Sequence, residues 1–104
     1  MTGPFRVIVT AQAMADAEEI YHHIEATSPQ NAATTLKRIF DGIDSLGHLS
    51  SRHKVVGRSR QNRAPIHAMV VRPFIVYYRV DDSSQHVFIL TIRRGSRVQP
   101  RRFD

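Results

Sequence analysis

The residues of this chain whose chemistry could go beyond packing are its six histidines and its fifteen lysines and arginines. His22 and His23 are adjacent in a helical pattern, so they leave the helix in different directions and cannot grip one ion together. His48 and His53 fall in or beside an irregular stretch, and His67 and His86 fall on or next to strands. No His-x-x-x-His spacing joins any pair, and the sequence contains no cysteine, so thiolate zinc sites and disulfides are ruled out. The histidines are therefore expected in structural or surface roles, with no metal, no cofactor and no confident catalytic residue.

The cations are more informative because they are unevenly placed. Residues 1–47 carry three basic and six acidic side chains, whereas residues 48–104 carry twelve basic and three acidic ones. Five of the twelve crowd into the last stretch, as Arg93, Arg94, Arg97, Arg101 and Arg102. Five more, Arg52, Lys54, Arg58, Arg60 and Arg63, lie in an acid-free segment spanning about residues 48–65. Such asymmetry points to an anionic partner, either nucleic acid or an acidic protein segment. The tail arginines are the expected target contacts, and a phosphate- or partner-contacting role is one reading of the basic segment.

These side chains must be positioned by a small number of elements. Ile66–Val71, Phe74–Val80 and Val87–Ile92 are rich in Val, Ile, Phe and Tyr and are separated by Arg72-Pro73 and by the polar run from Asp81 to Gln85. That is the signature of a three-strand antiparallel meander. Alternation puts Phe74, Val76, Tyr78, Val80, Phe88, Leu90 and Ile92 on one face. The other face receives Ile75, Tyr77, Arg79, Val87, Ile89, Thr91 and Arg93, a set too apolar for water, so either a partner or part of the basic segment is expected to cover it, and a partner is preferred. Gly95 is expected to turn the chain as it leaves the last strand.

Ahead of the meander, Phe5–Thr10 reads as a strand and Thr10 as a helix N-cap. Met14, Ala17, Ile20, Tyr21 and Ile24 then form an apolar stripe on a helix that ends before Pro29. Ser28-Pro29 starts a second helix. Its stripe runs through Ala32, Ala33, Leu36, Ile39, Phe40, Ile43 and Leu46 to Gly47, the expected C-cap. The three-residue connection implies an antiparallel helix hairpin. The fold is expected to be α+β, in the order β-α-α-β-β-β, with the helices on one face of the sheet. All 104 residues form one domain, since the length supports a single modest core. Neither a secretion signal nor a membrane span is expected.

The opening FRVIVTAQAMADAEEIYHHI, the following SPQNAATTLKRIFDGIDSL and the strands MVVRPFIVYYRVDD and VFILTIRRGSR, in this order, resemble the RelE/ParE toxin superfamily of bacterial toxin–antitoxin modules. The likeness is closest to the ParE-like, plasmid-stabilisation branch. It implies a cytoplasmic bacterial toxin neutralised by a ParD-like antitoxin, which drapes an often acidic segment over it and folds on binding. It also implies that operator DNA is reached only through the antitoxin, and that neither a membrane nor a small-molecule substrate is involved. The antitoxin contacts would be Ile75, Tyr77, Arg79 and Ile89 on the sheet, with Met14 and Tyr21 on the helix hairpin. ParE-like members resemble binding inhibitors of DNA gyrase. RelE-like members, the alternative, are ribosome-dependent mRNA endoribonucleases that surround the scissile phosphate with basic groups. Here Ile75 stands where such an enzyme is expected to have an arginine, His67 and Met69 where lysines are expected, and Phe103 where a tyrosine is expected. The gyrase reading is therefore preferred. A second alternative is a non-toxic module that binds antitoxin or DNA.

Overall fold

The computed structural model describes residues 4–49, 53–60 and 63–95. The elements are β1 (Arg6–Val9), α1 (Ala11–Glu25), α2 (Pro29–Leu49), β2 (Lys54–Arg58), β3 (Pro65–Val71), β4 (Phe74–Asp81) and β5 (His86–Arg94). The five strands form one sheet in the order β1-β5-β4-β3-β2. β1 joins β5 in parallel, and every other pairing is antiparallel. This is the expected α+β arrangement, with the helix hairpin on one face. The sequence left the partner of β1 open, and the structure assigns it to β5.

Both helix starts follow the expected capping chemistry. The Thr10 hydroxyl accepts from the Ala13 N–H at 3.2 Å, and the Ser28 hydroxyl accepts from the Asn31 N–H at 3.3 Å. The core joins Ala13 and Ala17 of α1 and Ile39, Ile43 and Leu46 of α2 to Met69, Phe74, Val76, Tyr78, Val87, Ile89 and Ile92 of the sheet. The innermost residues of α1 are thus alanines, which let the helix axis approach the sheet. The buried stripe is rotated by about one residue from the expected one. Met14 is 44% exposed, Tyr21 only half-buried, and Ala33 of α2 faces out beside a fully buried Ala32.

Three further expectations are corrected. The segment at 48–65 is not wholly irregular, because Lys54–Arg58 forms a fourth meander strand, β2, paired with β3. Val55 and Val56 are its only large apolar residues, and a bulge between Val55 and Gly57 breaks their alternation. Gly47 is not a C-cap either, since α2 continues to Leu49. A Cβ there would lie 3.0 Å from the Phe5 carbonyl oxygen, and the Phe5 N–H donates to the Gly47 carbonyl at 2.7 Å. Glycine at this point lets the start of the chain lie against the helix.

The third correction concerns β5. Tyr77 pairs with Thr91 but Tyr78 pairs with Ile89, which leaves Leu90 bulged. One extra residue reverses the alternation of the strand before it. Val87 and Ile89, expected outside, are fully buried in the core, whereas Phe88 and Leu90, expected inside, belong to the opposite face. β4 has no such defect, and its Phe74, Val76 and Tyr78 face inward as expected.

Candidate functional site

The outer sheet face carries a second apolar cluster, in which Ile66 and Tyr77 are buried and Val56, Ala68, Ile75 and Leu90 pack against them. Tyr77 is only 2% exposed. This face is therefore partly closed within the chain itself, with Val56 of the basic segment packed on it, which favours the second of the two expected covers over the preferred partner. What remains open is a band: Val70, 60% exposed, with half-buried Ile75 and Leu90. Arg79 and Arg93 bound it. Arg93 pairs with Ile75 across β4 and β5, and the Arg79 guanidinium lies 4.2 Å over the Phe88 ring. Burial raises the pKa of the Tyr77 hydroxyl, and the nearby Arg93 guanidinium offsets part of that rise. Of the four sheet residues expected to meet an antitoxin, Ile75, Tyr77 and Arg79 share this face. Ile89 does not, being fully buried beneath the helices, where no partner could reach it.

Arg93 and Arg94 lie exposed at the end of β5, while Arg97, Arg101 and Arg102 fall outside the described residues. The end of β5 is held by α1. β1 stops at Val9, opposite Ile89, so beyond that point β5 has no strand on this side. Side chains and one backbone group take over. The Thr10 N–H and hydroxyl both donate to the Ile89 carbonyl, at 3.2 and 2.6 Å. Asp16 Oδ2 accepts from the Thr91 hydroxyl at 2.5 Å and from the Ile92 N–H at 3.0 Å. Gln12 donates to the other carboxylate oxygen at 2.9 Å. Asp16 thus satisfies a strand edge that would otherwise be open.

Sequence reading placed Asp16 merely away from the apolar stripe. Its one signal was Thr91, a hydroxyl in an apolar run. Replacing Asp16 by alanine strands a buried hydroxyl and a backbone N–H, and the expected loss is about 1–3 kcal/mol in urea unfolding. An unchanged midpoint would show that water replaces the carboxylate without cost.

Between α1 and this end of β5 lies an open cleft of about 480 Å³, with Asp16, Glu19 and His23 on the helix side and Thr91, Arg93 and Arg94 on the strand side. Gly95 follows the end of β5 and lies against the β3–β4 turn instead. Its N–H donates to the Pro73 carbonyl at 2.6 Å, and a Cβ would sit 3.1 Å from that oxygen. On α1, exposed Met14 and half-buried Tyr21 are both accessible, and Tyr21 meets the His22 ring edge-on at 6.0 Å.

Four of the described histidines, His22, His53, His67 and His86, are engaged locally. His67 stacks on Tyr78 at 5.1 Å, and its Nδ1 is 2.8 Å from the His53 carbonyl. His86 stacks on Phe88 at 5.8 Å and bonds the Ser84 hydroxyl. Exposed His22 lies 3.6 Å from Glu25. Among the described residues no three His, Asp or Glu side chains converge as metal ligands would. Asp81 is the turn former it was expected to be: its Oδ1 accepts from Ser83 and Ser84, and those bonds hold its pKa down.

Compared with known proteins, residues 7–99 match the family model of the ParE toxin of the type II toxin–antitoxin system parDE. Among solved structures, the fold is similar to that in the chromosomal ParDE toxin–antitoxin system from P. aeruginosa. The TM-score is 0.72 at 21% identity, covering 91% of this chain and 100% of that one. It is also similar to the archaeal RelE–RelB complex from Pyrococcus horikoshii, with TM-score 0.64, 13% identity and coverage of 91% and 99%. The RelBE2 toxin–antitoxin complex from Mycobacterium tuberculosis gives 0.56 at 22% identity, with coverage of 88% and 99%. No curated protein matches in sequence.

Proposed function

Because the chain belongs to the ParE toxin family of type II toxin–antitoxin systems, we propose that it is a toxin held inactive by a cognate antitoxin and that, once free, it inhibits DNA gyrase by binding. The family match over residues 7–99 carries this reading. The antitoxin would lie along the open band of Val70, Ile75 and Leu90, with Arg79 and Arg93 attracting its acidic side chains. Met14 and Tyr21 offer it a second contact on α1. The gyrase contacts would be Arg93 and Arg94, continued by Arg97, Arg101 and Arg102. The place of action would be the bacterial cytoplasm; no helix among the described residues is long and apolar enough to cross a membrane.

Binding is favoured over RNA cleavage by what occupies the positions where basic groups would be needed. Ile75 packs against the second apolar cluster, Met69 is buried in the main core, and His67 is stacked on Tyr78. Each is committed to packing, which leaves a surface and not a proton-transfer centre.

The test is purified protein added to gyrase supercoiling and cleavage assays, alongside a ribosome-programmed mRNA cleavage assay. Inhibited supercoiling with intact mRNA is expected. The variant Arg93→Ala/Arg94→Ala is expected to lose at least about tenfold in potency while its thermal unfolding stays unchanged, because both charges are exposed and such charges contribute little to stability. Cut mRNA with unaffected gyrase would overturn the reading.

A further inference from the structure

We infer that the β2–β3 hairpin is a phosphate-contacting arm that binds the backbone of duplex DNA without reading its sequence, a role separate from gyrase inhibition and from operator recognition by an antitoxin.

The charge on this hairpin is uncompensated. Among the described residues two ion pairs occur, His22–Glu25 and Lys37–Asp41, and both lie on the helices. Every described arginine lacks a carboxylate within ion-pair distance. Between residues 48 and 103 the only acids are Asp81 and Asp82. Both sit in the β4–β5 turn, where Asp81 is engaged by Ser83 and Ser84. Lys54, Arg58, Arg60 and Arg63 are all exposed on or next to β2, the edge strand of the sheet.

The described residues that flank the hairpin end are also tied to one another. The Ser59 N–H donates to the Ala64 carbonyl and the Arg63 N–H to the Ser59 carbonyl, both at 2.9 Å. Arg58 Nη1 donates to the Arg63 carbonyl at 3.2 Å, and Ser59 itself is buried. Arg63 takes a positive φ of 58°, a backbone setting at which arginine is an uncommon choice and Asn or Gly would fit more easily. Arg58, Arg60 and Arg63 thus present three exposed guanidinium groups near one another in the chain, and guanidinium matches phosphate oxygens in bidentate geometry.

The class of polyanion follows from what accompanies the charge. A protein partner needs buried apolar anchors at the centre of its contact. From Arg58 to Arg63 the chain has no large apolar side chain; the nearest exposed one is Val55, at 47%. A single-stranded nucleic acid is held largely by stacking on aromatic rings, and residues 54–64 contain none. Duplex DNA asks for neither, and its major groove admits a two-stranded β-ribbon.

The experiment is fluorescence anisotropy of the purified chain with a duplex of arbitrary sequence, about 20 base pairs long, between about 50 and 200 mM NaCl. The variant Arg58→Ala/Arg60→Ala/Arg63→Asn keeps a residue tolerant of positive φ at 63. It is compared with Arg6→Ala/Lys37→Ala/Arg38→Ala, which removes the same three charges elsewhere. The hairpin variant is expected to bind at least about tenfold more weakly, with its log–log salt slope reduced by about 2–3, since each lost phosphate contact removes about 0.9. The control variant should stay near wild type. Should the triple variant fail to fold, Arg60→Glu alone, at an exposed turn position, must still weaken binding. Equal losses in hairpin and control variants, or no binding by the wild type, would overturn the inference. So would tighter binding of a single strand, or of a poly-glutamate peptide, than of the duplex.

Discussion

Replacing Ile89 with alanine is expected to lower the unfolding free energy by about 2–5 kcal/mol, the range for deleting a large aliphatic side chain from a packed core. Ile89 is fully buried and meets the helix-side cluster. The Thr10 hydroxyl anchors on its carbonyl, so the backbone at this point has little freedom to collapse into the space left behind. The same replacement at Ile75, half-buried on the outer face, is expected to cost only about 1 kcal/mol but to weaken antitoxin binding. Urea unfolding and an antitoxin titration of both variants separate the two roles. If Ile89→Ala were as stable as wild type, the bulge at Leu90 and the face assignment of β5 that depends on it would be wrong.

Raising the pH from about 10 to 12 is expected to remove about 2 kcal/mol of stability through Tyr78 alone. Its phenol is fully buried under the helices, and burial pushes its pKa from the ordinary 10.0 up to about 12, with a hydrogen bond from the His53 backbone opposing the rise. Below pH 10 the hydroxyl is neutral in both folded and unfolded chains, and the stability is intact. Above it the unfolded chain ionises first, so stability falls until the folded phenol also titrates near pH 12. Tyr77, raised by burial as well, acts in the same direction. Urea unfolding at intervals between pH 9 and 12 checks this against Tyr78→Phe. That variant should begin about 1 kcal/mol less stable, for the lost hydrogen bond, and should show a shallower alkaline decline. Parallel declines in the two proteins would eliminate Tyr78 as the source.

The fold was legible wherever a local rule decided it. Thr10 and Ser28-Pro29 announced helix starts because capping is local chemistry. The alternation of Phe74, Val76 and Tyr78 announced β4 because that strand is buried on the helix face without interruption. β2 escaped notice because two valines between cations are too weak a signal, and only β3 beside it makes a strand of them. Much of the candidate site escaped for a similar reason. Ile75, Tyr77 and Arg79 were placed on the correct face, but Ile89 was not, since a single unpaired residue at Leu90 exchanges the two sides of β5 and leaves no trace in composition. Asp16 read as an idle surface acid until the fold brought Thr91 and Ile92 to its oxygens.

The sequence by itself therefore determined the order of every element but β2, the segregation of positive charge into the second half and the family resemblance, since all three reside in residue types and their near-neighbour spacing. Only the tertiary structure decided which side chains are free to meet a partner. It ended β1 at Val9, so that Asp16 had to complete the edge of β5. It folded the outer face onto Tyr77, leaving only Val70, Ile75 and Leu90 open between two arginines. Those outcomes depend on contacts between residues as many as 80 positions apart in the chain, and no short-range pattern encodes them.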